Sequence, residues 1–333
     1  MIRTDRREAV TVLENEAAVR TGSAPRSVRP TAARRATLTG LALALTATVV
    51  WSGSFVATRA LHDSVPPVQA VFWRWVIALL AVAPMTLPQV WRQRALVRRH
   101  FRFLLVASLL GVSLYNTLVH QAGLTTTAGT MGMIMAASPT LMVLFGRFGR
   151  GGERIGARRA AGMLVATAGV LTLLGKGDPT ALFRLDLASG GLWMLAAMAC
   201  FAGYSALVRH KPAELTGPVF LCVTFLIGTL LLAPAYAVSL TVQGGFALGV
   251  DTVGPLLYVG IFSSAVAFFT WNKAIALVGA ARAGAVYYLQ PVCVALLSLL
   301  LLDEHTGPVQ ILCMVLILGG VVLAAGVPRT AAR

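Results

Sequence analysis

The sequence predicts an all-α polytopic membrane protein of ten transmembrane helices, arranged as two inverted five-helix repeats. Three observations carry that reading. First, 57% of the 333 residues are hydrophobic and only 12% are charged, with a mean hydropathy of +0.78. That is half the charged fraction of about 25% typical of soluble domains. Second, the chain breaks into ten mostly apolar runs: 38–61, 68–88, 103–121, 127–147, 159–175, 187–208, 216–240, 253–273, 280–302 and 307–326. Each approaches the roughly 20 residues that a bilayer crossing needs. Third, the two halves repeat. SPTLMVLFGRFGRGGERIG…TAGVLTLLG has a counterpart in QPVCVALLSLLLLDEHTG…LGGVVLAAG. Pro139 to Glu153 spans 14 residues and Pro291 to Glu304 spans 13, while Glu153 to Gly169 and Glu304 to Gly320 each span 16. GLTTTAGTMG aligns with IALVGAARAG 152 residues on. Five spans per half is an odd number, so the second half must enter the membrane inverted, as in secondary carriers.

Taken in order, residues 1–36 carry eight arginines with Pro25 and Pro30, the composition of a disordered basic cytoplasmic tail. The run at 38–61 is too long for the core of a secretory signal and reads as the first span. With the N-terminus inside, 24 of the 28 Lys and Arg fall on cytoplasmic segments, leaving Arg59, Arg74, Lys176 and Arg184 on or toward the outer side. This satisfies the positive-inside rule in every loop but the 176–186 connection, and places both termini, including the tail at 328–333, in the cytoplasm of a plasma or inner membrane protein. The net charge of +16 is distributed as loop clusters between apolar runs, which excludes a nucleic-acid-binding face. Cys200, Cys222, Cys293 and Cys313 lie far apart within apolar runs, so neither a disulfide framework nor a metal site is indicated. No cofactor motif is present, and monomer and homodimer both stay open.

The opening WSGSFVATR of residues 51–59, Arg74 early in the second span (VFWRWVIALL) and the twice-used Pro…Glu…Gly-Val pattern resemble the EamA branch of the drug/metabolite transporter (DMT) superfamily. One departure is Ser52, where the family often has Gly directly after the Trp. The resemblance covers about 38–326 and implies EamA repeats at 37–176 and 187–327. It further implies export of small metabolites such as amino acids.

Polar residues inside a membrane are costly and turn toward the bundle interior or a cavity. In the first span Trp51, Phe55 and Arg59 form one row at steps of four, with Ser54 and Thr58 beside them. Trp51 and Ser54 are the expected cargo contacts. Arg59 is expected at the outer edge, within snorkelling reach of headgroups and needing no partner. In the third span Tyr115, Asn116 and His120 fall in SLYNTLVHQAG. For Asn116 a cavity role and an interhelical hydrogen bond both fit. His120 is expected at the outer interface, with coupling as an alternative. The repeat-equivalent eighth span offers Trp271 and Asn272, the latter at the position of His120; Tyr204, Tyr287 and Gln290 complete the candidate substrate site. Arg59, Arg74 and His120 are candidates for gating or coupling. Pro139 and Pro291 are expected to kink their helices. Small-residue ladders at Ala128, Gly132, Ala136 and Thr140, and at Ala276, Ala280 and Gly284, are expected to let backbones approach closely. Met131, Met133 and Met135 are expected to be packing.

No Asp or Glu occupies the middle of any span; Asp63, Glu153, Asp303 and Glu304 lie near ends. A proton-coupled multidrug efflux carrier, the alternative reading, usually needs such a buried carboxylate. No GxxxxGK[ST] stretch points to ATP drive. From other classes, an intramembrane enzyme using Ser205 and His120 lacks a nucleophile elbow, and a non-transporting sensor has no positive signal.

Overall fold

The computed structural model describes residues 30–147, 156–178, 189–208 and 210–325, and these residues fold into helices joined by short turns. The helices are α1 (Pro30–Ala60), α2 (Pro67–Arg92), α3 (Arg94–Arg99), α4 (Phe101–Gly123), α5 (Ala128–Ala136), α6 (Ser138–Arg147), α7 (Ala157–Leu174), α8 (Ser189–Val208), α9 (Gly217–Gln243), α10 (Val250–Val278), α11 (Ala280–Tyr287), α12 (Gln290–Leu302) and α13 (Pro308–Ala325). Glu153, Arg184, Asp186 and Arg209 lie outside the described residues.

Among the described residues, eight helices are long and apolar enough to cross a membrane. The expected fourth span is instead two helices of nine and ten residues, α5 and α6. The tenth, Pro308–Ala324, is a shorter apolar helix. The first helix starts at Pro30, earlier than the apolar run does, because its Ala- and Arg-rich entry has high helix propensity.

The prolines act differently from the expectation. Pro139 and Pro291 each sit second in a new helix, α6 and α12, where a missing N–H costs nothing. The preceding breaks are three-residue turns, Ala137 N to Ile134 O at 3.1 Å and Leu289 N to Val286 O at 3.0 Å. They therefore divide helices rather than kink them. Two wide π-type stretches, Leu109–Leu114 in α4 and Tyr258–Val266 in α10, also occupy matching places in the two halves.

Packing follows the repeat. The principal partners are α7 with α13, α1 with α10, α2 with α9 and α4 with α8. Exchanging the halves converts α1·α10 into α8·α4 and returns α2·α9 and α7·α13 to themselves. Residue contacts obey the same exchange. Ala83-Pro84 of α2 matches Ala233-Pro234 of α9, which sets Trp75 opposite Phe225. Those two rings touch, with centroids 4.6 Å apart, as only residues beside an exchange axis can. At the α7·α13 crossing, a Cβ on Gly162 would lie 2.5 Å from Gly320 O, and one on Gly169 would lie 3.2 Å from Cys313 O. These are one contact and its repeat mate.

The core between the halves contains Phe55, Val119, Met131, Met133, Met135, Met194 and Ile317. The first small-residue ladder belongs here, since a Cβ on Gly132 would lie 2.9 Å from Val294. The second does not: Gly284 has nothing within 4 Å and Ala276 is exposed. Gly320→Ala is therefore expected to lower the melting temperature in detergent by about 5 °C, through an overpacking cost of about 1–3 kcal/mol. Its Cβ would stand 2.4 Å from Ala166 N. Gly284→Ala should leave the midpoint unchanged, and equal midpoints for the two variants would refute the crossing.

Candidate functional site

The α1 stripe faces α10 and α11. Trp51 donates from Nε1 to Ser263 O at 3.0 Å. Its ring meets Phe268 at 5.4 Å, Trp271 at 5.4 Å and Tyr287 at 5.9 Å, and Trp271 meets Tyr287 at 5.7 Å. Edge-on and tilted contacts of this kind build a firm apolar wall. Gly53 admits Tyr258, whose hydroxyl donates to Val50 O at 2.8 Å and fixes α1 against the wide turn of α10. Trp51, Ser54, Tyr115, Trp271 and Tyr287 are half-buried.

Beside the aromatic wall lies Arg74 of α2, only 8% exposed. Its two terminal nitrogens donate to Ser54 Oγ and Ser263 Oγ, both at 3.3 Å, while Nε has no partner. The guanidinium lies 5.2 Å from the ring centre of Trp75, which is held by a 3.1 Å bond from Nε1 to Val112 O. Tyr115 and His120 lie within electrostatic range of Arg74. Ser263 thus joins both features: its hydroxyl meets Arg74 and its carbonyl meets Trp51.

The ends of three helices are tied by one carboxylate. Glu304 accepts from Arg59 Nε at 2.9 Å, from Ala128 N at 3.0 Å and from Ser298 Oγ at 2.5 Å. Arg59 also donates to Gly123 O at 2.8 Å. This corrects the expectation of an unpaired edge arginine. Ala128 opens α5, so the carboxylate also meets a helix N-terminus, where negative charge is favoured.

Other expected site residues separate. His120 is buried, with Nε2 3.4 Å from Thr58 Oγ1. Asn116 is buried, and its amide donates within its own helix to Gly111 O at 3.2 Å and Val112 O at 3.0 Å. The wide turn there loosens carbonyls that the amide then satisfies, so Asn116 neither bridges helices nor offers that amide to a ligand. Asn272 is exposed, because one residue beyond Trp271 turns a side chain about 100° around the helix. It is removed from the site. Gln290 is buried beside Tyr287, and its Oε1 has no partner. Tyr204 is half-buried and packs over Gly111, joining Phe201 at 6.5 Å, with Phe201 5.4 Å from Tyr115.

Sequence reasoning missed Ser263, Phe268 and Phe201, and gave Glu304 no partner. A signal existed for Phe201: Trp51-x-Gly53-x5-Arg59 repeats as Phe201-x-Gly203-x5-Arg209. A separate apolar cavity of about 420 Å³ lies between α2, α9 and the 244–257 segment, lined by Gln69, Trp73, Tyr236, Phe246 and Leu256, away from Arg74 and Trp51. Among the described residues no cluster of His, Cys, Asp and Glu could hold a metal.

Known proteins share this architecture. The EamA-like transporter family pattern matches residues 38–175 and 188–326. An uncharacterised transporter of Archaeoglobus fulgidus is 26% identical over 302 residues, 89% of this chain and 98% of its own. A protein named as a probable terminal-alkyne amino-acid exporter, from Streptantibioticus cattleyicolor, is 27% identical, over 85% of this chain and 91% of its own. A crystal structure at 24% identity superposes with a TM-score of 0.58 over 87% of this chain and 97% of that one, which supports the fold alone. With both halves matched and an apolar helical architecture around them, the chain belongs to the EamA-like transporter family and is a multi-pass membrane transporter.

Proposed function

We propose that the protein is a secondary carrier that exports small metabolites such as amino acids, by alternating access between two inverted repeats of five crossings each, with both termini cytoplasmic. The observation that carries this reading is that one interior site is assembled from both repeats. Trp51, Ser54 and Arg74 come from the first; Ser263, Phe268, Trp271 and Tyr287 come from the second. Rocking one repeat against the other would open such a site to either side. The exchange-symmetric helix pairs and the contact of Trp75 with Phe225 support the inverted arrangement. The Streptantibioticus relative supports an amino-acid-like cargo. Arg59 and Glu304 belong to different repeats, so their ion pair holds the outer ends together in this conformation.

Counterflow tests the carrier. Proteoliposomes preloaded with unlabelled amino acids should take up a radiolabelled amino-acid mixture at least about tenfold faster than empty ones, as exchange through one site requires. Equal uptake, or a chemically changed product, would overturn the proposal. Trp51→Ala should cut that exchange at least about tenfold, a loss of roughly 1.4 kcal/mol or more in aromatic contact, while reaching the membrane at normal levels.

The outer tie gives a second test. Glu304→Gln removes the charge and keeps an acceptor for Ala128 N. In a cysteine-free background, a cysteine placed at Ser54 should react with a membrane-impermeant maleimide added from outside at least about threefold faster with this change, as expected for a shifted two-state equilibrium. An unchanged rate would show that the ion pair does not hold the outer side closed.

A further inference from the structure

Arg74 is a buried cation with unfilled hydrogen-bonding capacity. Removing a guanidinium from water costs several kcal/mol unless an anion and hydrogen bonds repay it. Arginine carries five N–H donors. Here two are engaged by serine hydroxyls at 3.3 Å, longer than the usual 2.9–3.0 Å, and Nε–H is engaged by nothing. No described carboxylate pairs with it. Asp63, Asp178, Glu214, Asp251, Asp303 and Glu304, the acidic groups among the described residues, all lie at helix ends or between helices. Glu304 is already engaged by Arg59, Ala128 and Ser298.

We propose that Arg74 is the receptor for a carboxylate on the transported molecule, and that the ligand class is a monocarboxylate with a compact apolar or aromatic body, whose amino group is dispensable. The inference rests on the carrier reading for its physiological role, but binding itself does not require transport. The guanidinium fork matches a carboxylate in bidentate geometry. Ser54 and Ser263 have hydroxyls that can rotate to donate to the same anion. Ser263 sets the distance between charge and apolar wall, because its carbonyl holds Trp51 while its hydroxyl meets Arg74. Trp51, Phe268, Trp271 and Tyr287 then receive the apolar body. An ammonium group would bring a second charge into the same interior with no described carboxylate to meet it, so it adds a desolvation cost without an ion pair.

The test is calorimetric titration of the purified full chain in detergent with 3-phenylpropionate, phenylalanine, phenylalaninamide and 2-phenylethylamine. The two acids should bind saturably, 3-phenylpropionate at least as tightly as phenylalanine. The amide and the amine should bind at least about tenfold more weakly, as loss of a charge-assisted hydrogen bond requires. Arg74→Gln should erase the difference between acid and amide, while Arg74→Lys should keep part of it. Equal binding of phenylalanine and its amide to the unaltered protein, or no saturable binding by either acid, overturns the inference without relying on any variant to fold. Counterflow of the same compounds separates the two proposals. Acid binding that depends on Arg74 without counterflow supports the site and rejects the carrier. Counterflow that accepts acid and amide equally rejects the site and leaves the carrier standing.

Discussion

Within a bilayer, water is not available to satisfy polar groups, so every buried donor and acceptor must find its partner inside the protein. Most hydroxyls in these helices meet that constraint locally. Thr46, Thr48, Ser52, Thr86, Ser108, Thr117, Thr172, Ser205, Thr224, Thr229 and Thr270 all donate to the carbonyl four residues back. Such residues look polar in sequence yet use their one donor hydrogen within their own helix. Against that background the exceptions stand out. Ser54 and Ser263 turn to Arg74, whose Nε has no partner, and Gln290 leaves Oε1 unbonded. Gln69 Oε1, His100 Nε2 and Thr140 Oγ1 lack hydrogen-bond partners too, so an unsatisfied group marks the interior site only where, as at Arg74, it lies beside the aromatic wall.

The same constraint shapes the backbone. Breaking a helix inside a membrane exposes carbonyls and amides, so breaks belong where neighbours or tight turns absorb them. The turns before Pro139 and Pro291 keep three-residue hydrogen bonds, and the prolines remove two donors that would otherwise be orphaned. The wide turns in α4 and α10 are served by side chains: Asn116 bonds Gly111 O and Ser264 bonds Val259 O at 2.9 Å. Among the described residues the proline breaks fall 152 residues apart and the wide turns overlap on the same register, while the side chains that serve those turns do not match: Asn116 aligns with Phe268, not with Ser264. The repeat has thus preserved the places where the chain departs from regular helix, together with the apolar spans.

This explains what could be read from the sequence and what could not. Span positions follow from hydropathy over about 20 residues, a signal that survives without knowledge of neighbours. The Trp51–Arg59 stripe was legible for a similar reason, since helical spacing alone puts those residues in one row. The partner of Arg59 was not legible, because Glu304 lies 245 residues away and only packing brings the two together. The bonding of Asn116 was not legible either, because its amide meets Gly111 O and Val112 O, carbonyls of the wide turn in its own helix. Asn272 failed on angle: counting along the repeat put it at the place of His120, while its side chain points away from the rings that Trp271 joins.

The two halves share a scaffold but not a chemistry. With Ala83-Pro84 set against Ala233-Pro234, Arg74 corresponds to Thr224, an uncharged residue whose hydroxyl donates back to Phe220 O and Leu221 O. Trp51 corresponds to Phe201, which has no indole N–H, and Ser54 to Tyr204, which fills the notch over Gly111. On the 152-residue register Tyr287 corresponds to Met135, a core residue. Charge and hydrogen-bonding capacity therefore gather on one side of the exchange axis, and apolar packing on the other. A strictly symmetric site would place two guanidiniums in one low-dielectric space, where their mutual repulsion would add to two desolvation costs. With one arginine, the site is polar at one end and apolar at the other, within a scaffold whose two halves otherwise pack alike.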